Sequence, residues 1–325
     1  MVRLRGMIHP YFFFIFLLGA ATFGLALATI AGFLGAAAWW LDLFAHFRVH
    51  YAIAAALLAV ASLAFRRRGL AVAAVALLGI NVATLAPYLS AFEVAAGAPT
   101  LKIVSFNLWQ SNRDTAPTLD FLRRENADVV VLGEVKAHWA KALEGLADLY
   151  PHRLDRLDCR EQGHCEMAML SKTPWIEAAA SLYDRSQPPI VWARLVKDGQ
   201  GFTVLGTHLT WSVSPRSADL QRRQVDSLAA LVRGFDGPLV VAGDFNATPW
   251  SAEFSRFTEA AGLSRAGGGI APTWPAHIIP LGIPIDHVFA GPGFASATAR
   301  PGPDVGSDHL PVIAELRLPA FTRPP

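Results

Sequence analysis

The stretch VVAGDFNATPWS, residues 240–251, decides the fold prediction for this chain. A short apolar run is followed at once by Gly243, and Asp244 and Asn246 then stand on either side of Phe245. Because side chains alternate faces along a strand, Asp244 and Asn246 are predicted to share one face while Phe245 packs inward. Strand ends commonly carry functional groups in α/β proteins, since a rigid sheet holds loops that stay open to ligands. Taken alone, the stretch fits a functional pair or an Asx turn that only caps the strand.

Similar β-like runs recur through the C-terminal two thirds of the chain. Helical patterns lie between them, at residues 118–126 and 220–234. Strand-like runs outnumber helical ones, so we predict an α/β fold in which two sheets form a sandwich flanked by helices, rather than one all-parallel sheet. The runs are Lys102–Phe106, Val129–Leu132, Met167–Leu170, Ile190–Leu195, Thr203–Thr207, Leu239–Ala242, Ile285–Phe289 and Val312–Leu316.

Polar residues lie next to six of these runs. We predict that each polar residue comes directly after its strand. If the six strands neighbour one another, their ends bring the polar groups into one cleft. These residues are Asn107, Glu134, His208, Asp244 with Asn246, Asp286, and Ser307 with Asp308 and His309.

The residue types indicate metal-assisted chemistry on a phosphate. Oxygen ligands without a cysteine or paired-histidine motif suit a hard cation such as Mg²⁺, which binds through one or two carboxylates and leaves other positions to water and substrate phosphate. Glu134 and Asp308 are the candidate carboxylates. The histidines and amides would contact phosphate oxygens, and an aspartate would accept a proton from water. No serine, cysteine or threonine stands in a nucleophile-elbow pattern, so we expect direct attack by water.

As a set, the motifs SFNLW, GEV, THLTW, GDFNATP, IDHVF and GSDHLPV resemble those of the endonuclease/exonuclease/phosphatase superfamily. These metal-dependent hydrolases include deoxyribonuclease I, abasic-site endonucleases, neutral sphingomyelinases and inositol-polyphosphate 5-phosphatases. The resemblance covers residues 101–318 and implies a four-layer α/β sandwich of two mostly antiparallel sheets. The combination of GDFN followed by TP with a near-terminal SDHLP is its most specific part.

The resemblance also implies metal ligands. Glu134 matches the principal ligand of Mg²⁺, for which Mn²⁺ is the alternative ion. Asn107 lies alongside it, as a ligand and as a contact to substrate, and Asp308 matches a carboxylate near the metal. One position departs from the pattern, because Gly133 stands where many members have a glutamine before the metal-binding glutamate. This difference keeps the metal-binding carboxylate of Glu134 but removes the side-chain amide that a glutamine at position 133 would provide.

The same resemblance implies the catalytic groups. Asp244 matches the residue that orients or deprotonates the attacking water. Asn246 and His208 match phosphate contacts. His309 matches the imidazole that stabilises the transition state, and Asp286 matches the carboxylate that holds this imidazole.

The N-terminal part of the chain is unusually apolar. The 325 residues are 53% hydrophobic, with a mean hydropathy of +0.34, which is high for a soluble protein and indicates membrane segments. Apolar runs at residues 11–40, 49–65 and 70–89 predict three transmembrane helices. We therefore divide the chain into a membrane anchor at 1–94, a small-residue linker at 95–99 and a catalytic domain at 100–320.

Charges beside the apolar runs indicate the orientation. Arg3 and Arg5 precede the first run, and three arginines at 66–68 separate the second from the third. The positive-inside rule places these arginines in the cytoplasm and the catalytic domain on the periplasmic or extracellular face of the inner cell membrane. In that oxidising compartment Cys159 and Cys165 either form a disulfide or remain two separate thiols.

Charge and anchoring together indicate the substrate class. From Ala98 onward, 22 lysines and arginines stand against 24 aspartates and glutamates, so this region lacks the overall basic character expected of a nuclease. The three-span anchor resembles a membrane-bound bacterial branch that includes the teicoplanin-resistance membrane protein, which implies a polyprenyl-phosphate substrate. We expect a lipid-linked phosphate or pyrophosphate ester. Extracytoplasmic nuclease activity is the second alternative, and a catalytically silent binding module is the third.

Overall fold

A computed structural model describes residues 10–89, 100–155, 167–181, 187–294 and 296–318. The chain separates into two compact units, Met1–Pro87 and Tyr88–Pro325. The predicted linker at 95–99 lies outside the described residues, as do Cys159 and Cys165.

The N-terminal unit is helical. Its longest helix has 24 residues, which at about 1.5 Å per residue is enough to cross a hydrocarbon core of about 30 Å. The helices are α1 (Pro10–Phe33), α2 (Trp39–Ala45), α3 (Arg48–Ala64) and α4 (Arg68–Leu85), and a 3₁₀ turn at Ala86–Tyr88 follows α4.

Two segments of these helices, Tyr11–Phe33 and Arg68–Tyr88, are long and apolar enough to cross a membrane. A third crossing requires α2 and α3, which are bent by 58° at the break between them, to form one broken span. The first predicted run was too long for a single helix, because α1 ends at Phe33 and Trp39 begins α2. The structure therefore offers two or three spans where the sequence predicted three.

A buried polar network joins α1, α3 and α4. The Arg48 guanidinium donates to the Thr29 carbonyl oxygen at 3.0 Å and to Asn81 Oδ1 at 3.3 Å. It also lies over the Phe33 ring, 3.9 Å from the ring centre. Asn81 in turn donates to Thr29 Oγ1 at 3.1 Å. Polar groups buried in apolar surroundings need such partners, so the network specifies how these three helices align.

The C-terminal unit contains twelve strands and four α-helices among the residues described. All eight predicted strands are present, with ends within three residues of the predicted ones. The strands are β1 (Thr100–Asn107), β2 (Val129–Gly133), β3 (His152–Leu154), β4 (Met167–Ser171), β5 (Trp175–Ala180), β6 (Ile190–Lys197), β7 (Gln200–His208), β8 (Leu239–Asp244), β9 (Ser264–Arg265), β10 (Asp286–Ala290), β11 (Ser296–Pro301) and β12 (Val312–Arg317). The helices are α5 (Ala116–Glu125), α6 (Ala137–Ala142), α7 (Pro215–Val232) and α8 (Ala252–Ala261).

The strands form two six-stranded sheets. The first has the order β11-β12-β1-β2-β4-β3, and the second has the order β5-β6-β7-β8-β10-β9. Among the described strands, one neighbouring pair in each sheet is parallel, β1 with β2 and β7 with β8. The other pairs are antiparallel, which confirms the prediction of two mostly antiparallel sheets.

Alternation of side chains along the strands builds three apolar layers. Ile103 and Val240 belong to the core that both sheets share. Phe106 packs outward with Phe121 of α5, and Val241 packs outward with the residues of α7 and α8. The order of layers is therefore helix, sheet, sheet, helix, and the predicted four-layer sandwich is confirmed.

Gly243 occupies a position in β8 that leaves no room for a side chain. Its φ is 151°, and a Cβ added there would lie 1.8 Å from the Thr207 carbonyl oxygen of the neighbouring strand. We expect Gly243→Ala to lower the free energy of unfolding by about 3 kcal/mol, because backbone must move to relieve the overlap. The control is Gly201→Ala in β7, where a Cβ would meet no atom within 4 Å. Equal melting temperatures of the two purified variants would contradict this prediction.

Candidate active site

The chain leaves β8 through a turn that Asp244 itself holds. The Asn246 backbone N–H donates to Asp244 Oδ1 at 2.8 Å, and Phe245 is buried against Phe257 and Phe289. Asn246 adopts a left-handed φ of 48°, which asparagine tolerates better than most residues. The stretch at 240–251 is thus an Asx turn that also presents two polar side chains.

Strand alternation was the wrong reason for placing Asp244 and Asn246 together. The strand ends at Asp244, so the left-handed backbone of Asn246 sets the direction of its side chain. The Asn246 amide donates to the Leu209 carbonyl oxygen at 2.8 Å, and its Nδ2 lies 3.4 Å from His208 Nε2. His208 Nε2 is also 3.5 Å from Asp244 Oδ2. The turn therefore groups Asp244, Asn246 and His208.

A buried histidine–aspartate pair lies beside Asp244. His309 Nδ1 is 2.9 Å from Asp286 Oδ2, and His309 Nε2 is 3.8 Å from Asp244 Oδ2. Antiparallel pairing of β10 with β8 places Asp286 directly opposite Asp244 in the register. A carboxylate on one ring nitrogen fixes the orientation of an imidazole, so Asp286 aims the other nitrogen of His309 toward Asp244.

Two of the six polar positions lie at the start of their strands, which corrects the prediction that each follows one. Asp286 is the first residue of β10, and residues 307–309 come before β12. In an antiparallel pair, the start of one strand lies beside the end of its neighbour. Because β10 is antiparallel to β8, and β12 to β1, these groups still reach the edge where β1 and β8 end.

Asn107 connects polar groups of both sheets. Its Nδ2 lies 3.1 Å from Glu134 Oε1, 3.1 Å from Asp244 Oδ2 and 3.4 Å from His309 Nε2. Its Oδ1 accepts a hydrogen bond from the Trp109 backbone N–H at 3.0 Å. The amide nitrogen therefore faces the predicted site residues, and the amide oxygen holds the loop that follows β1.

Burial and charge perturb the protonation of the central groups. Burial alone would lower the pKa of His309, but the carboxylates of Asp286 and Asp244 outweigh it and raise this pKa to about 10. Burial raises the pKa of Asp244 to about 6; Asp286 adds to this shift, and His309 and His208 oppose it. At neutral pH the site thus holds an imidazolium next to an unusually basic carboxylate.

Glu134 and Asp308 form an oxygen-rich side of the site. Glu134 follows β2 with a left-handed φ of 55°, which is rare for a residue of this kind, and its Oε2 accepts the Gln110 N–H at 2.8 Å. Asp308 Oδ2 accepts the Trp274 indole N–H at 3.3 Å, while Asp308 Oδ1 is buried and has no hydrogen-bond partner among the described residues. Burial raises the pKa of Asp308, and the negative charge of Glu134 adds to the shift.

These features fit a divalent cation. A buried carboxylate oxygen that receives no hydrogen bond is costly unless another group satisfies it, and neighbouring carboxylates repel each other. A hard cation such as Mg²⁺ relieves both effects because it takes oxygen ligands. Asn107 can contribute only through Oδ1, which here accepts the Trp109 N–H. Glu134 and Asp308 are therefore the residues that fit a metal ion best.

A second group, Asp244, Asp286 and His309, has ligand atoms within 4.8 Å of one another. Its geometry is that of a hydrogen-bonded network, since the His309 and Asp286 atoms that meet are 2.9 Å apart. The raised pKa of His309 has the same origin, since the two carboxylates beside the ring stabilise its charged form. We interpret this group as a proton-transfer and charge-stabilising set.

Some hydrogen bonds that shape the site were not predicted from the sequence. The Ser307 hydroxyl donates to the Asn107 carbonyl oxygen at 2.7 Å and accepts the His309 N–H at 3.1 Å. Thr273 Oγ1 accepts the Asp286 N–H at 3.2 Å. Ser307 stood in a recognised motif, although nothing in the motif indicated these bonds. Thr273 lies in a loop outside every motif, so only the fold brings it to the site.

Comparison with known proteins agrees with this geometry. The model of the endonuclease/exonuclease/phosphatase family matches residues 104–309, which is more than half of the chain. The chain belongs to this family. Members of the endonuclease/exonuclease/phosphatase family are generally metal-dependent hydrolases that act on phosphoester bonds.

Individual proteins that resemble this chain match it at low identity or over part of its length. A UPF0294 protein of Vibrio vulnificus is 32% identical over 154 residues, which cover 45% of this chain and 48% of the relative. The chain thus matches about half the length of that relative. Sphingomyelinase C from Streptomyces griseocarneus is 19% identical with a TM-score of 0.54, covering 67% of this chain and 99% of that one. A variant of the Staphylococcus aureus beta toxin with bound magnesium ions is 18% identical with a TM-score of 0.55, covering 66% and 99%. At these identities the two structures show a shared fold.

Proposed function

We propose that this family member hydrolyses a lipid-linked phosphate or pyrophosphate ester on the extracytoplasmic face of the inner cell membrane, with Mg²⁺ as its cofactor and Mn²⁺ as an alternative. One observation carries the proposal: Asp244 Oδ2 lies within 4 Å of both Asn107 Nδ2 and His309 Nε2, and Asp286 holds His309 from behind. A basic carboxylate beside an imidazolium and an amide donor suits attack of water on a phosphoester, because it offers a proton acceptor and donors for the developing charge.

Glu134 and Asp308 are proposed to hold the cation, with Asn107 beside them. When bound, a divalent cation withdraws charge from the phosphate and stabilises the negative charge of the leaving oxygen. The bound magnesium ions of the beta toxin support Mg²⁺ as the first ion to test.

Asp244 is proposed to orient the attacking water and to accept its proton. Its Oδ1 is held by the Asn246 N–H at 2.8 Å, while Oδ2 faces Asn107 and the two histidines. As the bond from the water oxygen to phosphorus forms, the ester P–O bond breaks and the water proton passes to Asp244. A pKa near 6 makes this carboxylate a better base than an ordinary aspartate.

His309, His208 and Asn246 are proposed to bind the phosphate oxygens. His309 is protonated, so its Nε2–H can donate toward the charge that builds up during the reaction. The Asn246 amide and the His208 ring lie 3.4 Å apart, close enough to contact oxygens of one phosphate group. Donors that are already in place need no rearrangement when the charge develops, which is why removing one typically costs about 10²–10³-fold in kcat.

A nuclease is the second candidate, and the arginine pairing disfavours it. Arg222 and Arg223 are one pair of adjacent arginines that could form a local DNA-binding patch. Arg222 pairs with Glu253 at 3.3 Å, and Arg223 pairs with Asp219 one helical turn away. Arginines that are neutralised by neighbouring acids attract a nucleic-acid backbone less strongly.

A catalytically silent anchored binding module is the third candidate. Such a module would have no need of a buried imidazolium next to two carboxylates. Burying these charges is costly, and a binding surface can be built without it. The intact set of Glu134, Asp244, Asn246 and His309 therefore supports an enzyme.

The orientation of the catalytic domain is tested by a reporter fusion. The arginine bias at the N-terminus and at residues 66–68 leads us to expect the C-terminus outside the cytoplasm. Alkaline phosphatase fused after Pro325 should therefore be active, and green fluorescent protein fused at the same position should not fluoresce after Sec-dependent export. The reverse pattern would contradict the proposed localisation.

A substrate panel tests the function. The purified full-length chain, reconstituted with Mg²⁺, would be offered a polyprenyl pyrophosphate, a phosphoinositide, sphingomyelin and plasmid DNA. We expect hydrolysis of the polyprenyl ester and little cleavage of DNA. Cleavage of DNA alone would support the nuclease, and turnover of none of the four would contradict the proposal.

A further inference from the structure

A loop at residues 275–282 is fixed at its base to the active site. Trp274 and Ile283 pair as a β-bridge, with N–H to oxygen distances of 2.7 and 3.1 Å, so the loop closes on itself. The Ala276 N–H donates to the Asp308 carbonyl oxygen at 2.8 Å, and the Trp274 indole donates to Asp308 Oδ2. Asp308 therefore contacts the base of this loop and also belongs to the proposed metal site.

This loop exposes large apolar side chains. Ile278 and Ile279 are each 44% exposed, and Leu281 is 61% exposed. Such exposure is unfavourable in water, and nothing within the loop's own composition offsets it, because its only ionisable residue is His277.

A second apolar loop meets the first at the site. Trp211 is 52% exposed and Val213 is 47% exposed, both in the segment that follows β7. The Trp211 ring lies 5.9 Å from the Trp274 ring, which lies 6.5 Å from the His309 ring. The apolar rim, as we define it, consists of Trp211, Val213, Ile278, Ile279 and Leu281.

The exposed apolar residues of the C-terminal unit concentrate in this rim. Among the described residues from Thr100 onward, eight large apolar side chains are exposed, and five of them belong to the rim. Scattered exposed apolar residues are ordinary, but a group of them beside a polar site marks a binding surface. The remaining three are Trp109, Ile176 and Val196.

The charge of the two loops indicates what the rim contacts. Residues 209–217 and 271–285 contain no aspartate or glutamate, while Arg216 and His277 stand among the apolar residues. An apolar surface whose own segments carry an arginine and no acidic residue is complementary to a bilayer that contains acidic lipids. The chain also carries its own apolar helices, joined to β1 by the eleven residues 89–99, and such tethering raises the effective concentration of a membrane.

We propose that the apolar rim inserts into the bilayer surface beside the active site. The phosphate of a lipid-linked ester then reaches Asp244 and His309 while its hydrocarbon chain remains in lipid. This inference rests on the proposed function for its substrate, although the contact between rim and bilayer is measurable without any turnover.

Lipid contact is tested by site-specific quenching. In the full-length chain with Cys159 and Cys165 replaced by serine, Ile279→Cys would carry an environment-sensitive fluorophore, and Ile176→Cys in β5 is the matched control because it is also an exposed isoleucine. In nanodiscs that contain acidic lipid and nitroxide-labelled lipid, we expect at least about twofold quenching at position 279 and little at 176. Emission from 279 that is typical of water would overturn the proposal. So would a blue shift without lipid quenching, because it would indicate contact with a second copy of the chain.

Substrate presentation provides the second test. Ile279→Glu combined with Leu281→Glu should lower kcat/KM about tenfold for a long-chain ester in nanodiscs, with no change for a short-chain, water-soluble ester. Ile176→Glu should leave both values unchanged. Equal losses on the two substrates would indicate a folding defect and overturn the proposal. If the unmodified chain hydrolysed neither ester, the proposed function would fail and the quenching result alone would decide the role of the rim.

Discussion

Asp244→Asn should lower kcat about 10²–10⁴-fold and leave KM nearly unchanged, since it keeps the shape of the side chain and removes the base. In the unmodified chain the Asn246 N–H donates to Asp244 Oδ1 at 2.8 Å and holds the turn. The amide oxygen of an asparagine at position 244 can still accept this hydrogen bond. The loss should therefore appear in the chemical step. Initial rates over a range of substrate concentrations, measured on the reconstituted full-length variant, separate kcat from KM.

Asn246→Ala is the matched variant in the same turn. The substitution deletes a donor that is proposed to contact the phosphate in both the bound substrate and the transition state. We therefore expect KM to rise and kcat to fall. If the turn served only the fold, both variants would melt at lower temperature with unchanged activity per folded molecule. Unchanged specific activity of Asp244→Asn would thus remove the catalytic interpretation of the stretch at 240–251.

Glu134→Gln should cost about 10²-fold or more in activity at limiting Mg²⁺ and should raise the Mg²⁺ concentration needed for half-maximal rate. The substitution keeps an oxygen near Asn107 but removes the charge that attracts the cation. Titrating Mg²⁺ against rate measures the shift, and calorimetric titration of the metal without substrate measures binding by itself.

Glu177→Gln provides the control for this prediction. Glu177 is an exposed carboxylate in β5, so the same chemical change there should affect neither the rate nor the metal titration. Wild-type turnover of Glu134→Gln at limiting Mg²⁺ would show that the metal ligand had been assigned wrongly.

Much of the fold follows from apolar runs because the central strands are buried on both faces. Strands such as β2, β4 and β8 are fully buried and read as continuous apolar segments. The missed strands lack this signal. β3 and β9 have three and two residues, while β5 and β11 lie at sheet edges and consist largely of alanine and partly exposed residues. Short or half-exposed edge strands take their conformation from their neighbours more than from their own sequence.

The ends of helices also include positions that the apolar pattern does not indicate. The predicted helix at 220–234 begins five residues earlier, at Pro215, where Ser214 and Ser217 form a reciprocal capping box. Pro at the first helical position and a serine cap are local signals that the sequence contains. The apolar periodicity starts only at Leu220, so a prediction based on periodicity alone begins the helix too late.

The polar groups of the site could be chosen from the sequence, but their arrangement could not. Strand order determines that Asp286 lies opposite Asp244, and order along the chain does not contain that information. The Trp274 bond to Asp308 joins residues 34 apart and needs the loop at 275–282 to close. The left-handed backbone of Glu134 and Asn246 likewise has no signal in the apolar pattern from which the strands were predicted.

Hydrolysis in ¹⁸O-labelled water tests the central claim most directly. The reconstituted full-length chain would turn over its best substrate from the panel with Mg²⁺ in labelled water, and mass spectrometry would locate the label in the products. Attack of water on phosphorus predicts one labelled oxygen in the released phosphate group, with the yield lost on chelation of the metal and reduced about 10²–10⁴-fold in Asp244→Asn. Label in the alcohol product, or the same yield from Asp244→Asn as from the unmodified chain, would contradict the account.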